Sequence, residues 1–156
     1  MSELYDPLIG AANTFLDKGF YEDIDISPMK LQKLMYFLYR DYLQTVGRPF
    51  FSERFEAWKY GPALPRLYAL CKKYGSSPIS DYCRDVNGEM YKLKETHNTS
   101  AFHEAFSRVW QTYKNLSGIE MSELTHRPGT AWYTTWQKYE NIIADQLIML
   151  EEAILP

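Results

Sequence analysis

The hydrophobic residues of this chain fall mainly at the three- and four-residue spacing of amphipathic α-helices. A first helix is predicted to begin at Pro7, after an aspartate suited to N-capping, and to stop at Gly19. The most apolar segment starts at Pro28 and ends at Gly47, and apolar residues cover most of its helical circumference. Because a helix that is apolar on nearly all sides packs against several neighbours, residues 28–46 are predicted to form the central helix.

The remaining residues show shorter helical patterns and two extended ones. Residues 55–58 form a short strand-like run that a Gly-Pro dipeptide interrupts. The Asn87-Gly88 dipeptide predicts a hairpin turn between short β-like runs within residues 76–99. Helical spacing is also present in residues 65–74, 100–113, 117–124, 132–136 and 142–155. The pattern predicts a mainly α, compact single-domain bundle over residues 1–156, with a small β-hairpin or extended element.

Composition narrows the possible functions. Aromatic residues make up 16% of the sequence, enough for a large core and for rings at a protein interface. The net charge of -3 argues against a nucleic-acid partner, since phosphates are neutralised by a basic face. The N-terminus lacks the pattern of a secretory signal, and no run of about 18 apolar residues is present. We therefore expect a cytoplasmic protein that does not bind a membrane.

The motifs of common catalytic sites are missing. The sequence has no phosphate-binding glycine loop, no dinucleotide-binding glycine motif and no HExxH zinc motif. His97, His103 and His126 lie far apart without cysteine or aspartate partners at metal-ligand spacing, so we expect neither a metal nor a cofactor. A nucleophilic pair of Cys71 with His126 stays open, because the members of such a pair meet in space rather than in sequence.

Several polar and aromatic side chains have two interpretations. His126 follows a short helix, where it either caps the last carbonyl groups or contacts a partner. Lys30 and Lys33 flank Gln32 on the central helix, either as a solvated edge or as the lining of a groove for a partner. The rings of Trp58, Tyr60 and Tyr68 belong either to the core or to a protein interface.

Three sequence blocks together resemble the Panacea domain family, which includes SocA-like antitoxins and phage-associated GepA-like proteins. The blocks are KLQKL at residues 30–34, FEAWKYGP at 55–62 and LTH at 124–126. The resemblance extends from about Ala12 to Trp132. It implies a mainly helical domain that neutralises a protein toxin by direct contact.

The resemblance also implies a partner and a binding face. We expect a toxin encoded by an adjacent gene, held in a one-to-one or symmetric assembly, and no enzymatic activity in this protein. A homo-oligomer of the chain also stays open. Two alternatives are an adaptor that delivers the toxin to a bacterial protease and an enzyme that modifies the toxin. The residues expected to reach the partner, with Lys33 and Glu56 expected to be exposed, are Lys30, Lys33, Glu56, Lys59, Tyr60 and His126.

Overall fold

The computed structural model describes residues 6–93 and 97–156. Within these ranges the protein forms seven α-helices and one two-stranded antiparallel sheet, which confirms the mainly α fold with a small hairpin. In sequence order the elements are α1 (Pro7–Glu22), α2 (Pro28–Val46), β1 (Glu56–Trp58), β2 (Gly61–Ala63), α3 (Pro65–Cys71), α4 (Ser100–Tyr113), α5 (Gly118–Thr125), α6 (Ala131–Gln137) and α7 (Asp145–Leu150).

Local signals set the start of the first two helices. The carboxylate of Asp6 accepts a hydrogen bond from the Ile9 amide, and proline occupies the first helical turn of both helices. Gly47 ends α2 at φ 93°, in the left-handed region that glycine adopts without strain. The predicted stop at Gly19 was wrong: α1 continues to Glu22, and Gly19 lies inside the helix. A Cβ at position 19 would lie 2.8 Å from the Cδ1 atom of Ile26, so close packing explains this glycine.

Helix α2 forms the centre of the fold, as its apolar circumference predicted. It packs against α1, α3, α4, α5, α7 and strand β2. Tyr36, Phe37 and Tyr39 are at most 1% exposed, and the Phe37 ring stacks on Tyr113 at a centroid distance of 4.1 Å. Such rings bury large areas with few rotatable bonds, which favours one well-ordered core.

A buried polar cluster joins α2 to the C-terminal segment. Arg40 Nε lies 3.0 Å from Oε1 of Glu151, and the Tyr36 hydroxyl donates to the same carboxylate. The Ala131 amide donates to Oε2 of Glu151 at 2.7 Å. Burial raises the pKa of Glu151 above its ordinary value, while these partners act in the opposite direction. The cluster therefore fixes the backbone after α7 against the centre of the fold.

The two-stranded sheet lies earlier in the sequence than the asparagine-glycine signal predicted. β1 pairs with β2 across a turn at Lys59 and Tyr60, whereas residues 76–93 and 97–99 contain a turn at Asn87 but no strand. The hairpin forms at β1 because its outer edge is also paired: the Ala57 amide donates to the carbonyl of residue 141 at 2.7 Å.

The last predicted helix is shorter than expected, because the residues at its predicted start pair with β1 instead. The Ile143 amide donates to the Phe55 carbonyl at 2.9 Å, so residues 142 and 143 extend along β1 rather than entering a helix. Helix α7 covers only Asp145–Leu150, and residues 151–156 are not helical. Across the described ranges, none of the helices combines the length and apolar character needed to cross a membrane.

Candidate functional site

The first two turns of α2, the β1–β2 hairpin and α3 surround a cleft of about 190 Å³. We call it the Lys33 cleft. Its lining includes Met29 and Lys33 from α2, Trp58 and Tyr60 from the hairpin, and Tyr68 and Cys71 from α3. Two of the three sequence blocks thus contribute side chains to one concave surface, and the third packs directly behind it.

Lys33 is buried in this cleft rather than exposed, so the expectation of a solvent-exposed amine was wrong. The residue is 3% exposed, and its Nζ atom donates one long hydrogen bond of 3.3 Å to the Pro62 carbonyl. Within residues 6–93 and 97–156 no carboxylate oxygen lies within 4.0 Å of this Nζ atom. Burial lowers the pKa of Lys33 to about 7.

A glycine in the hairpin makes room for the lysine. Gly61 has φ +113°, a conformation that side chains with a Cβ rarely adopt. A Cβ at this position would lie 2.8 Å from Cε of Lys33 and 2.6 Å from Oγ1 of Thr125. Gly61 thus lets the lysine stem, the hairpin and α5 approach one another closely.

The two polar neighbours of Lys33 on α2 are also buried, so the solvated-edge interpretation was wrong. The Gln32 amide donates to the Leu64 carbonyl at 3.0 Å and accepts from the Leu64 amide at 2.8 Å, which anchors the start of α3. Lys30 is 5% exposed, and its Nζ donates to the Lys114 carbonyl at 2.5 Å. Burial lowers the pKa of Lys30 as well. Lys30 does not line the cleft and instead joins α2 to the backbone after α4.

Three side chains from the region of the third block hold the hairpin turn. The indole of Trp132 donates to the Trp58 carbonyl at 2.7 Å, and the Ser122 hydroxyl donates to the Tyr60 carbonyl at 2.5 Å. Between them, Nε2 of His126 lies 2.9 Å from the Lys59 carbonyl. Three successive carbonyl groups of the turn are therefore in contact with side chains from α5, its C-terminal end and α6. We call this arrangement the turn clamp.

His126 combines the capping role with a contact to the hairpin. Its Nδ1 lies 2.5 Å from the Ser122 carbonyl, four residues earlier, and its ring packs on Trp132 at a centroid distance of 4.0 Å. The capping interpretation is confirmed by this geometry. Sequence reasoning missed Ser122, although the spacing of four residues from His126 places both on one helix face and could have indicated it.

The rim of the cleft is aromatic and accessible. Tyr60 is 58% exposed and Tyr68 is 51% exposed. Trp58 is half-buried and packs edge-to-face on Tyr68, with 5.3 Å between the ring centroids. Glu56 is half-buried rather than freely exposed, since its carboxylate accepts from the Trp58 indole at 2.8 Å. Lys59 is exposed at the tip of the turn.

A second, shallower cleft adjoins the first, and we call it the Ile119 cleft. Met29 and Tyr60 belong to both, and Ile119, Ser122, Glu123 and His126 complete it. Its lining is mostly apolar, and Ile119 is 65% exposed. Five of the six residues expected to reach a partner, all except Lys30, therefore lie in or beside one continuous surface.

Cys71 does not form with His126 the nucleophilic pair that the sequence left open. The Sγ atoms of Cys71 and Cys83 lie 4.0 Å apart, and both residues are buried free thiols. The contact with Cys83 and burial raise the pKa of Cys71. Both ring nitrogens of His126 face backbone carbonyl groups, so this histidine is not placed to deprotonate Cys71. In the part of the protein that the structure describes, no group of three or more potential metal ligands is present.

Comparisons with known proteins converge on one family. The family model described as "Antitoxin SocA-like, Panacea domain" matches residues 31–133. The protein named Antitoxin SocA from Caulobacter vibrioides (strain NA1000 / CB15N) is 32% identical over 123 residues, which cover 78% of this chain and 65% of that protein. The chain thus spans just under two thirds of the length of that relative. No solved structure gives a significant match.

Proposed function

The chain belongs to the SocA-like antitoxin family that the Panacea domain defines, and on this basis we propose that it neutralises a cognate toxin by direct protein–protein binding. In this proposal residues 1–156 act as a single domain in the cytoplasm. The toxin is the product of an adjacent gene, and the antitoxin itself catalyses no reaction.

The observation that carries this proposal is the meeting of the family's sequence blocks at one surface. The two clefts form a continuous groove whose rim carries the exposed side chains of Tyr60, Tyr68 and Ile119. Binding energy at protein interfaces is concentrated in a few aromatic and charged anchors that fill pockets. An exposed tyrosine between two apolar clefts is suited to that role.

The turn clamp supports the same proposal, because a surface that is already ordered loses little conformational entropy on binding. The hydrogen bonds from Ser122 and Trp132, together with the His126 ring against the Lys59 carbonyl, hold the hairpin that carries Tyr60 at its tip. We propose that Lys33, Lys59 and Tyr60 contact the toxin, while His126 and Glu56 position the hairpin. Lys30 is left out of this surface, since its amine faces the Lys114 carbonyl.

A growth-rescue experiment tests the proposal. The protein is expressed with the product of its adjacent gene, and tagged protein is purified to identify partners by mass. We expect a stoichiometric complex and restored growth, both lost with Tyr60→Ala. Tyr21→Ala is the matched control, because Tyr21 is 85% exposed on α1 and belongs to neither cleft.

Toxin levels measured in the same cells separate masking from delivery to a protease. Direct neutralisation predicts that the toxin persists beside the antitoxin in a stable complex. A toxin that disappears only when this protein and a protease are both present would instead support the adaptor alternative. If no partner is found in cells carrying the native gene neighbourhood, the antitoxin proposal fails.

A further inference from the structure

The amine of Lys33 is a buried hydrogen-bond donor that the fold leaves largely unused. A lysine ammonium carries three N–H donors, and among residues 6–93 and 97–156 one of them makes a single long bond, to the Pro62 carbonyl. An ammonium without a charged partner is costly to bury, and its desolvation is recovered only when good acceptors are present. Lys33 nevertheless lines a cleft that is open to the surface between Tyr60 and Tyr68.

We propose that the Lys33 cleft binds the side-chain carboxylate of an acidic segment of the partner protein. This inference rests on the proposed antitoxin function and names the chemistry that the toxin presents. The carboxylate accepts charge-assisted hydrogen bonds from the Lys33 ammonium, which are stronger than bonds between neutral groups. The apolar lining around it excludes water and strengthens the interaction.

The charges at the rim favour an acidic protein segment as the occupant. Lys59 adjoins Tyr60 in the turn, and Lys72 directly follows Cys71 at the end of α3; both are exposed. Lys73 is exposed one residue further along. A segment with negative charge is therefore attracted by the exposed lysines that adjoin lining residues of the cleft, and by the amine of Lys33 inside it.

The size and donor type of the cleft favour a side chain over other carboxylates. Its volume of about 190 Å³ is below the roughly 300–1,000 Å³ typical of small-molecule sites. A terminal carboxylate of a polypeptide is commonly captured by consecutive backbone N–H groups. The donor at the base here is instead a lysine side chain on a helix, flanked by aromatic rings. A glutamate or aspartate side chain between apolar neighbours matches this environment.

The proposal also predicts a direction of pH dependence. Burial lowers the pKa of Lys33 to about 7 in the free protein, and a bound carboxylate favours the protonated amine. Binding is therefore strongest below about pH 7 and weakens as the pH rises. Neither carboxylate bordering the two clefts lies within 4.0 Å of Nζ. The titratable or charged groups that line the two clefts or bond to their lining residues are Glu56, Lys59, Tyr60, Tyr68, Cys71, Glu123 and His126. Lys30, Arg66 and Glu120 lie on the same helices but have other partners, the Lys114 carbonyl, Asp6 and Ser117 respectively.

Three tripeptides test the chemistry directly with the full-length protein. The probes are N-acetyl-Leu-Glu-Leu-amide, its neutral analogue with glutamine, and the glutamine peptide with a free C-terminal carboxylate. Binding is followed by NMR at pH 6 and pH 9, using protein labelled with ¹³C at the lysine Cε. We expect the glutamate peptide to bind more tightly than both others and to shift the Lys33 signal, with weaker binding at pH 9.

Two variants control for loss of the buried amine. Lys33→Met should weaken binding of the glutamate peptide by about tenfold or more, as expected for a hydrogen bond to a charged group. Lys30→Met removes the other buried amine of α2 and should leave peptide binding unchanged. A urea-unfolding curve for each variant shows that the protein is folded.

Each contrary outcome of the peptide experiment overturns the inference. Equal binding of the glutamate and glutamine peptides would mean that the site is an apolar groove without preference for a carboxylate. Tighter binding of the peptide with a free C-terminus would mean that the site recognises a terminal carboxylate rather than a side-chain carboxylate. Absence of glutamate-peptide binding also rejects the inference. The toxin assay stays separate: rescue by Lys33→Met at wild-type strength rejects this inference while the antitoxin function stands. A bound glutamate peptide in a protein without any toxin partner rejects the proposed function alone.

Discussion

Replacing Lys33 by methionine should stabilise the protein, although the lysine lies in its interior. Methionine has a similar length and is readily buried, so the change removes the charge with little loss of packing. The pKa of Lys33 falls from 10.5 to about 7 on folding because of burial. Since one pKa unit corresponds to about 1.4 kcal/mol, the protonated amine reduces the free energy of unfolding by about 5 kcal/mol.

The sign of the pH dependence follows from the two pKa values. Below about pH 7 the amine is protonated in both the folded and the unfolded protein, and the folded state bears the full cost. Between about pH 7 and 10.5 the unfolded state keeps its proton while the folded state loses it, so the stability of the wild type rises with pH. The advantage of Lys33→Met is therefore largest below about pH 7 and shrinks towards pH 10.

The net gain in stability from Lys33→Met is smaller than the gain expected from removing the buried charge alone. The Pro62 carbonyl loses its bond to Nζ in the variant, and an unsatisfied buried acceptor costs about 1–3 kcal/mol. We expect Lys33→Met to be more stable than the wild type by roughly 2–4 kcal/mol at pH 6. The bond to Pro62 is long, which favours the upper half of this range.

Urea unfolding at pH 6, 7.5 and 9 measures this difference. Subtracting the unfolding free energy of the wild type from that of the variant at each pH cancels the contributions of all other titrating groups. Lys92→Met is the control, because Lys92 forms a surface ion pair with Asp17 and its side chain is 44% exposed. The reasoning is refuted if Lys33→Met is less stable than the wild type at pH 6, or if its advantage does not decrease at higher pH.

Three further predictions concern the hairpin, the buried polar cluster and the thiols. Gly61→Ala should reduce the unfolding free energy by about 2–4 kcal/mol through strain and the clash with α5. Gly88→Ala, also at positive φ but in open space, should lose only about 1 kcal/mol in the same urea titration. Glu151→Ala should destabilise by about 3–5 kcal/mol, because it leaves Arg40 buried without its carboxylate; a thermal melt within 1–2 °C of the wild type contradicts this. Cys71→Ser should leave neutralisation of the toxin unchanged, and loss of rescue in a folded variant would revive a thiol mechanism.

The sequence predicted those parts of the fold that depend on neighbouring residues. The starts of α1 and α2 follow from an N-capping residue and a proline within one turn. The helical spacing over residues 117–124 likewise predicted α5, and a capping box of Ser117 and Glu120 starts that helix. The central position of α2 follows from its own apolar circumference. Each of these signals is complete within a single segment.

The strand-like run at residues 55–58 predicted β1, but its pairing could not be predicted, because the residues along its outer edge are distant in sequence. The β1 strand is paired on one side with β2 and on the other with residues 141–143. Side chains of α5 and α6 then bond the carbonyl groups of the turn. A favourable asparagine-glycine turn without such partners produced no strands in the described part of that loop.

Five of the six residues predicted to bind a partner lie in or beside the two clefts, but the geometry of the clefts was not predicted. Lysine is rarely buried, so Lys33 was expected at the surface. Its burial depends on Gly61, which makes space for the lysine stem from the far side of the cleft. The capping role of His126 followed from its place at the helix end, whereas its contact with the hairpin did not.

The central claim is that this protein neutralises a toxin through the groove around Tyr60. The most direct measurement is the dissociation constant between the purified protein and the product of its adjacent gene, for the wild type, Tyr60→Ala and Tyr21→Ala. We expect tight binding by the wild type and Tyr21→Ala, with a loss of about tenfold or more for Tyr60→Ala. Equal affinities for all three proteins would contradict the assignment of this surface, and absence of binding by the wild type would contradict direct neutralisation itself.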